Sequence, residues 1–200
     1  RLAASLMSLH NILPGIIALY VQKFPNVHLG VCGGQYAQVV RMVLDEDVDF
    51  GFGAQYQIPS QFDFVPCINY HMVAITSLDH PLAGRPRVKA SELAQQPLIL
   101  GDPNNYENKL IKEWVESHHF HPRVVLEASG WDTRMRCVQL GLGVAIAAEG
   151  WVDDKARDQL HVIPVSELLG TRSYGVLVKR GKRLSSAASR LVALLEQTFG

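Results

Sequence analysis

Apolar positions along the chain switch between two periods, and the switches mark a series of short elements. Leu2-Ala3-Ala4 predicts a short strand. Apolar residues at 9, 12, 13, 16, 17, 20 and 24 follow the helical repeat, so the spacing predicts a helix over Leu9–Phe24. Pro14 falls inside it and predicts a distorted first turn or a start nearer Leu13, and Phe24-Pro25 stops it. Val27–Cys32 reads as a strand, Gly33-Gly34 as a turn, Tyr36–Leu44 as a helix and Asp49–Ala54 as a glycine-bearing strand.

Further along, Phe62–Cys67 and Met72–Thr76 read as separate strands, with a turn at Asp79–Leu82. Pro97–Leu100, Arg123–Ala128 and Val144–Ala148 read as strands, interleaved with helices over Tyr106–Ser117 and Asp132–Leu140. Leu160–Val165 and Ser173–Lys179 are strands, and Leu184–Phe199 is a closing helix. Strand and helix therefore alternate in residues 1–55 and again in 97–148. The expected class is α/β, with two lobes, each able to build a parallel sheet, and a crevice between them. Parallel sheets bind ligands beyond the carboxyl ends of their strands. That rule selects the loops Ser5–Ser8, Gly33–Tyr36, Ala54–Gln57, Gly101–Asn104 and Ser129–Thr133.

Composition narrows the function classes. The chain has 200 residues, 48% of them hydrophobic, which suits a folded protein. Lys+Arg and Asp+Glu are both 19, and residues 1–100 hold 6 basic and 7 acidic side chains. Neither half is a basic block of the kind that grips nucleic acid. The longest apolar run, Ile16–Val21, is far short of the ~20 residues of a membrane span. Cys32, Cys67 and Cys137 are widely spaced and odd in number, which predicts three buried, reduced thiols in an intracellular, cytoplasmic protein. The start at Arg1 shows no signal peptide and no initiator Met, which suggests a piece of a longer protein.

No catalytic motif emerges: there is no G-x-S-x-G elbow, P-loop or G-x-G-x-x-G, so the chain is expected not to be an enzyme. No motif calls for a cofactor or a resident metal; His118, His119 and His121 cluster at a helix end, where a solvated role is the plainer reading. Lys179, Arg180, Lys182 and Arg183 form the sole basic run, readable as a phosphate contact or as a polar turn. The loops are better candidates. Ser5 and Ser8, Gly34 and Gln35, and Asp132 and Thr133 lie at predicted helix N-termini, where free N–H groups and the positive dipole end favour an anion. Trp131 could pack on an aromatic or sugar-like ligand, and Asp102 could accept from a ligand hydroxyl or amine. Each of these residues also reads simply as a cap or as packing; only their convergence points to a ligand.

Several motifs, in order, resemble the effector-binding domain of LysR-type transcriptional regulators. They are Leu13-Pro14, Phe24-Pro25-Asn26-Val27, Val48–Gly53, Asp79-His80-Pro81-Leu82-Ala83, Leu93-Ala94 with Pro97-Leu98-Ile99, and Val138–Ile146. The resemblance implies two Rossmann-like lobes of the type 2 periplasmic-binding-protein kind, joined by strands near Tyr70–Ala74 and Tyr174–Val178. Lobe I would be residues 1–72 plus 176–200, and lobe II residues 73–175. It also implies inducer contacts at Ser5, Met7, Ser8, Gly34, Gln35, Tyr36, Ala37, Gly101, Asp102, Asp132 and Thr133. Met7, Gln35 and Ala37 stand where such regulators often have hydroxyl residues.

The family further implies a small-molecule effector such as a carboxylate or aromatic acid, and DNA contact through an N-terminal winged helix-turn-helix absent from these residues. It implies a homodimer or tetramer; Ile16, Tyr20, Val21, Leu110, Ile111 and Trp114 are the apolar candidates for pairing. A transporter's type 2 solute-binding protein would share the fold and is the alternative.

Overall fold

The computed structural model describes residues 1–103 and 106–199. In chain order the first elements are β1 Leu2–Ser5, α1 Leu6–Asn11, α2 Leu13–Lys23, β2 Val31–Gly34, α3 Tyr36–Leu44, β3 Phe50–Ala54 and β4 Phe62–Ser77. Next come α4 Ala90–Ala94, β5 Leu98–Leu100, α5 Tyr106–Ser117, β6 Val124–Glu127, α6 Trp131–Gln139 and β7 Val144–Ala148. A single 3-10 turn, Glu149–Trp151, leads to α7 Asp154–Arg157, β8 Leu160–Pro164, α8 Ser166–Leu169, β9 Thr171–Lys179 and α9 Ser186–Phe199. The chain divides into two compact units, residues 1–69 with 173–200, and residues 70–172. It passes from one to the other within β4 and returns within β9.

In the first unit β1 lies between β2 and β3 and is parallel to both, and β9 runs antiparallel to β3. Leu2, Ala3 and Ala4 are fully buried, as a central strand requires. Val39 and Val43 of α3 pack with Ala3, Val48, Phe62 and Leu177. The second unit repeats the arrangement: β5 lies between β6 and β7 and is parallel to both. There β4 runs antiparallel to β7 on one side and to β8 on the other. Leu98–Leu100 and Val144–Ala148 are buried throughout, as strands covered on both faces must be.

Several expectations are corrected. The Leu9–Phe24 helix is two helices, the second starting at Leu13 as Pro14 predicts. Ser5 starts α1 earlier, the Ile12 N–H closes it on the Ser8 carbonyl at 3.0 Å, and Pro14 sits in the first turn of α2, where its missing N–H costs nothing. The strand expected over Val27–Cys32 begins only at Val31, and Gly33-Gly34 belongs to it rather than to a turn, pairing with Ala4 and Ser5. Phe62–Cys67 and Met72–Thr76 form one continuous strand, β4.

Four of the expected pairing residues face inward. Ile16, Tyr20, Ile111 and Trp114 are all buried within their own units, because the apolar stripes of α2 and α5 serve the core. Tyr20 donates its hydroxyl to the Ala187 carbonyl at 2.8 Å. Leu110 is half-buried, and Val21 is exposed. The basic run is a turn held by the protein itself. Lys179 Nζ reaches the Leu44 carbonyl at 3.0 Å and Glu46 at 2.6 Å, Arg180 pairs with Asp63 at 3.2 Å, and Lys182 Nζ reaches the Val48 carbonyl at 3.1 Å.

Candidate functional site

Parallel pairing brings the expected residues of the first unit to one end of its sheet. Ser5 and Gly34 are register partners at the carboxyl ends of β1 and β2. Met7 and Ser8 follow on α1, and Gln35, Tyr36 and Ala37 open α3. The two serines are occupied with each other. Ser5 Oγ accepts the Ser8 N–H at 3.1 Å and lies 2.9 Å from Ser8 Oγ, and Ser8 is fully buried. The Gln38 side chain turns back to accept the Gln35 N–H at 2.8 Å. Capping, the plainer reading, thus accounts for much of the polar chemistry on this rim. Met7 is half-buried, and Gln35 and Ala37 are exposed. Tyr36 differs: its hydroxyl is buried without a hydrogen-bond partner, and burial pushes it above the ordinary phenol range. In the expected loop at Ala54–Gln57, Gln55 is tied by its N–H to the Ser173 carbonyl at 2.8 Å.

In the second unit the expected residues lie beyond the carboxyl ends of β5 and β6. Gly101 is buried and clamped by Asn108, whose side chain accepts its N–H at 2.9 Å and donates to its carbonyl at 2.8 Å. Asp102 is half-buried beside it, and Asn104, the end of that expected loop, lies outside the described residues. Trp131 opens α6 and is half-buried, whereas Asp132 and Thr133 are exposed on its first turn. Gly130 takes the capping position and has no side chain to offer, so the first N–H groups of α6 lack the internal cap that α1 and α3 have. By sequence the three helix N-termini stand on an equal footing; the structure separates them.

Two residues missed in the sequence complete this mouth. Arg134 is 3% exposed, and its guanidinium lies 4.9 Å from the Trp131 ring centroid. Burial draws its proton affinity down, and the Glu107 carboxylate, itself buried, opposes that shift. Trp151 meets the Trp131 ring edge-on at 5.5 Å between centroids. Trp151 was findable, since it follows parallel strand β7 and the same carboxyl-end rule applies there. Arg134 carries no such signal, because an arginine in a polar helix reads as exposed, as Arg136 two residues on is.

Of the three thiols expected to be buried only Cys67 is; Cys32 and Cys137 are half-buried, on β2 and α6. Cys67 is buried, and burial pushes its thiol up to about 11. His118 Nδ1 lies 2.9 Å from the Trp114 carbonyl and its ring stacks on Phe120 at 5.5 Å; His118, His119 and His121 are all exposed just after α5, as the solvated reading expects. Between α5 and β6 lies a separate apolar groove of about 340 Å³, lined by Leu98, Ile111, Phe120 and Val124 among others. Among the described residues no helix is long and apolar enough to cross a membrane.

Two parallel three-strand cores, each with loops beyond the carboxyl ends of its strands, define an α/β fold of the type 2 periplasmic-binding-protein kind. Comparison with known proteins is specific: the LysR substrate binding domain model matches residues 1–200, and the chain belongs to that family. It is 35% identical over 189 residues to the HTH-type transcriptional regulator CysB of Burkholderia cenocepacia, covering 94% of this chain and 60% of that protein. Among solved structures, the cofactor-binding domain of the Cbl transcriptional regulator superposes with a TM-score of 0.89 at 21% identity, covering 100% of this chain and 88% of that one. The CcmR regulatory domain of Synechocystis PCC6803, in complex with 2-PG, gives 0.90 at 20%, covering 100% and 96%. These relatives are regulators by name, and the transporter reading finds no support among them.

Proposed function

We propose that this domain senses a small molecule for a cytoplasmic, DNA-binding regulator. The effector is taken by the loops beyond the carboxyl ends of the parallel strands: Ser5, Met7, Ser8 and Gly34–Ala37 in one unit, and Gly101, Asp102 and Trp131–Thr133 in the other. The two units are the regulatory lobes. What carries the reading is the repetition of this loop placement in both units of a LysR substrate-binding domain. The CcmR domain, of the same fold, is described with a small molecule bound, which supports a ligand role here. The chain spans about 60% of the CysB relative's length. In the intact protein a preceding winged helix-turn-helix makes the DNA contacts, and copies pair as a homodimer or tetramer. Effector binding acts by favouring one arrangement of the protein over another, to the extent that its affinities for them differ.

A thermal-shift screen of carboxylates and aromatic acids tests this. A compound that occupies the site should raise the melting temperature in a saturating way, by about 2.7 kcal/mol of stabilisation at a hundredfold excess over Kd. Trp131→Ala should weaken that response. Failure of every compound in a broad screen to shift the transition would end the sensing proposal.

A further inference from the structure

We propose that the mouth of the first unit takes an uncharged, apolar group of the effector, an aryl or branched-alkyl moiety, against Leu6, Met7 and Ala37. This names the ligand chemistry of the site proposed above and rests on that reading for its biological meaning. What carries it is the distribution of charge. Residues 2–9, 31–40 and 50–62 hold the three mutually parallel strands β1, β2 and β3 and the segments that follow them. They include no Asp, Glu, Lys, Arg or His. The matching stretches of the second unit, 98–107 and 124–136, carry Asp102, Glu107, Glu127, Asp132, Arg134 and Arg136.

The hydroxyls of these segments are spent inside the protein. Ser5 and Ser8 bond to each other, with Ser8 fully buried, and the Gln38 side chain accepts the Gln35 N–H. The Tyr36 hydroxyl is buried, and its side chain packs against the core around Val39 and Phe62. What faces outward is apolar or neutral. Leu6 is 66% exposed, Met7 is half-buried and Ala37 is exposed. The exposed Gln35, Gln55 and Gln57 are amides. Parallel pairing sets the two apolar groups side by side: Ser5 and Gly34, register partners at the strand ends, run directly into Leu6-Met7 and Gln35-Tyr36-Ala37.

A single exposed leucine is ordinary on a protein surface. Leu6 differs in its company: it lies with Met7 and Ala37 at the carboxyl end of a parallel sheet, where such folds take their ligands, in segments without an ion. A charged ligand group placed there would give up hydration and find no counter-ion in these segments, which is costly. The helix starts offset that cost only in part, because α1 has six residues and the Gln35 N–H before α3 is already taken by Gln38. An aryl or branched-alkyl group gains on leaving water, roughly in proportion to the apolar area it covers. Met7 suits such a group, being flexible and polarisable enough to follow an aromatic face. The neutral amides can serve one hydroxyl or carbonyl at the edge of that group.

Methyl nuclear magnetic resonance of the whole 200-residue chain tests this, because its four methionines are Met7, Met42, Met72 and Met135. Benzyl alcohol is the neutral aromatic probe and sodium acetate the small charged one. The Met7 methyl should move saturably with benzyl alcohol and far less with acetate at equal concentration, while buried Met72 and Met135 stay still. Leu6→Ser removes exposed apolar surface and should weaken benzyl alcohol binding about fivefold. Ala37→Asp puts a carboxylate into the mouth at a helix start that favours it, so the fold is kept, and it should weaken binding by a similar factor. Equal shifts with acetate and benzyl alcohol, or unchanged affinity in a folded variant, would overturn the proposal. So would a Met7 signal that follows protein concentration and ignores the probe, which marks a second copy of the chain as the occupant. If a metabolite from the screen stabilises the domain while Met7 never responds to it or to benzyl alcohol, only this inference fails. If benzyl alcohol binds as described but no metabolite stabilises the domain, the apolar mouth stands and the sensing role falls.

Discussion

At the scale of single residues, the motifs with a chemical look are mostly structural devices. His80 in the His80-Pro81-Leu82 turn accepts the Leu82 N–H on Nδ1 at 3.2 Å. Burial lowers its proton affinity from the ordinary value of 6.5, so the folded chain takes up the proton at lower pH than the unfolded chain. The stabilisation is therefore complete above about 6.5 and is lost as pH falls through the lower folded value. Thermal melts of the native chain should show a fall in stability in that window. In His80→Asn, which keeps an acceptor and does not titrate, this component should be missing.

Gly143 is a second case. A Cβ there would lie 2.4 Å from the Pro97 carbonyl, the same oxygen that accepts the Val144 N–H at 2.8 Å. Gly143→Ala should cost about 1–3 kcal/mol in chemical denaturation, by forcing β7 away from the start of β5. In Gly141-Leu142-Gly143, Gly143 thus serves a close backbone approach, and Gly141 supplies the left-handed backbone, φ 74°, of the turn after α6. Cys67 makes a third prediction. With its thiol raised to about 11, it should stay unmodified by a thiol reagent at neutral pH until the chain unfolds, whereas half-buried Cys32 and Cys137 should react in the native state.

At the scale of elements, legibility followed length and periodicity. Tyr36–Leu44 and Tyr106–Ser117 could be read to the residue, because each shows a clear helical stripe over nine residues or more. The short helices α4, α7 and α8, of four or five residues, fall below any window in which a period can show. The division at Ile12 was hidden because apolar residues keep the helical repeat straight through it, and only the Ser5 cap and Pro14 mark two starts. The same limits apply to the candidate site. The loops follow from strand order, but whether a serine hydroxyl is free or spent on its neighbour depends on distances that spacing does not encode.

The basic turn after β9 illustrates what the elements need from such residues. Lys179 is bonded to the Leu44 carbonyl, one of the last carbonyls of α3, where a cation also complements the helix dipole. Removing it with Lys179→Met should cost about 1–2 kcal/mol through that bond and speed amide exchange at the end of α3. Arg180→Gln breaks the exposed pair with Asp63 and the longer 3.4 Å bond to the Phe62 carbonyl, and should cost less than Lys179→Met, about 0.5 kcal/mol. Equal effects of the two changes would show that α3 does not depend on this cap.

At the scale of the whole chain, the charge balance bears on whether these residues could contact DNA. The total is 19 basic against 19 acidic side chains. Divided by unit, residues 1–69 with 173–200 carry 8 basic and 6 acidic, and residues 70–172 carry 11 and 13. Neither unit has the field that a duplex requires, and the one basic run is engaged with Glu46, Asp63 and backbone carbonyls. A protein that neutralises 6–10 phosphates loses roughly 10³–10⁵ in affinity between 50 and 200 mM salt, because it releases the bound counterions. This chain has no surplus cations to drive such release. Its retention of duplex DNA should therefore be weak at about 50 mM salt, and its dependence on salt shallow. Gel-shift titrations of the chain, with a basic DNA-binding domain as a positive control, measure that slope directly. A steep slope would place a DNA-binding surface within these residues and overturn the proposal that a separate N-terminal segment makes the contacts.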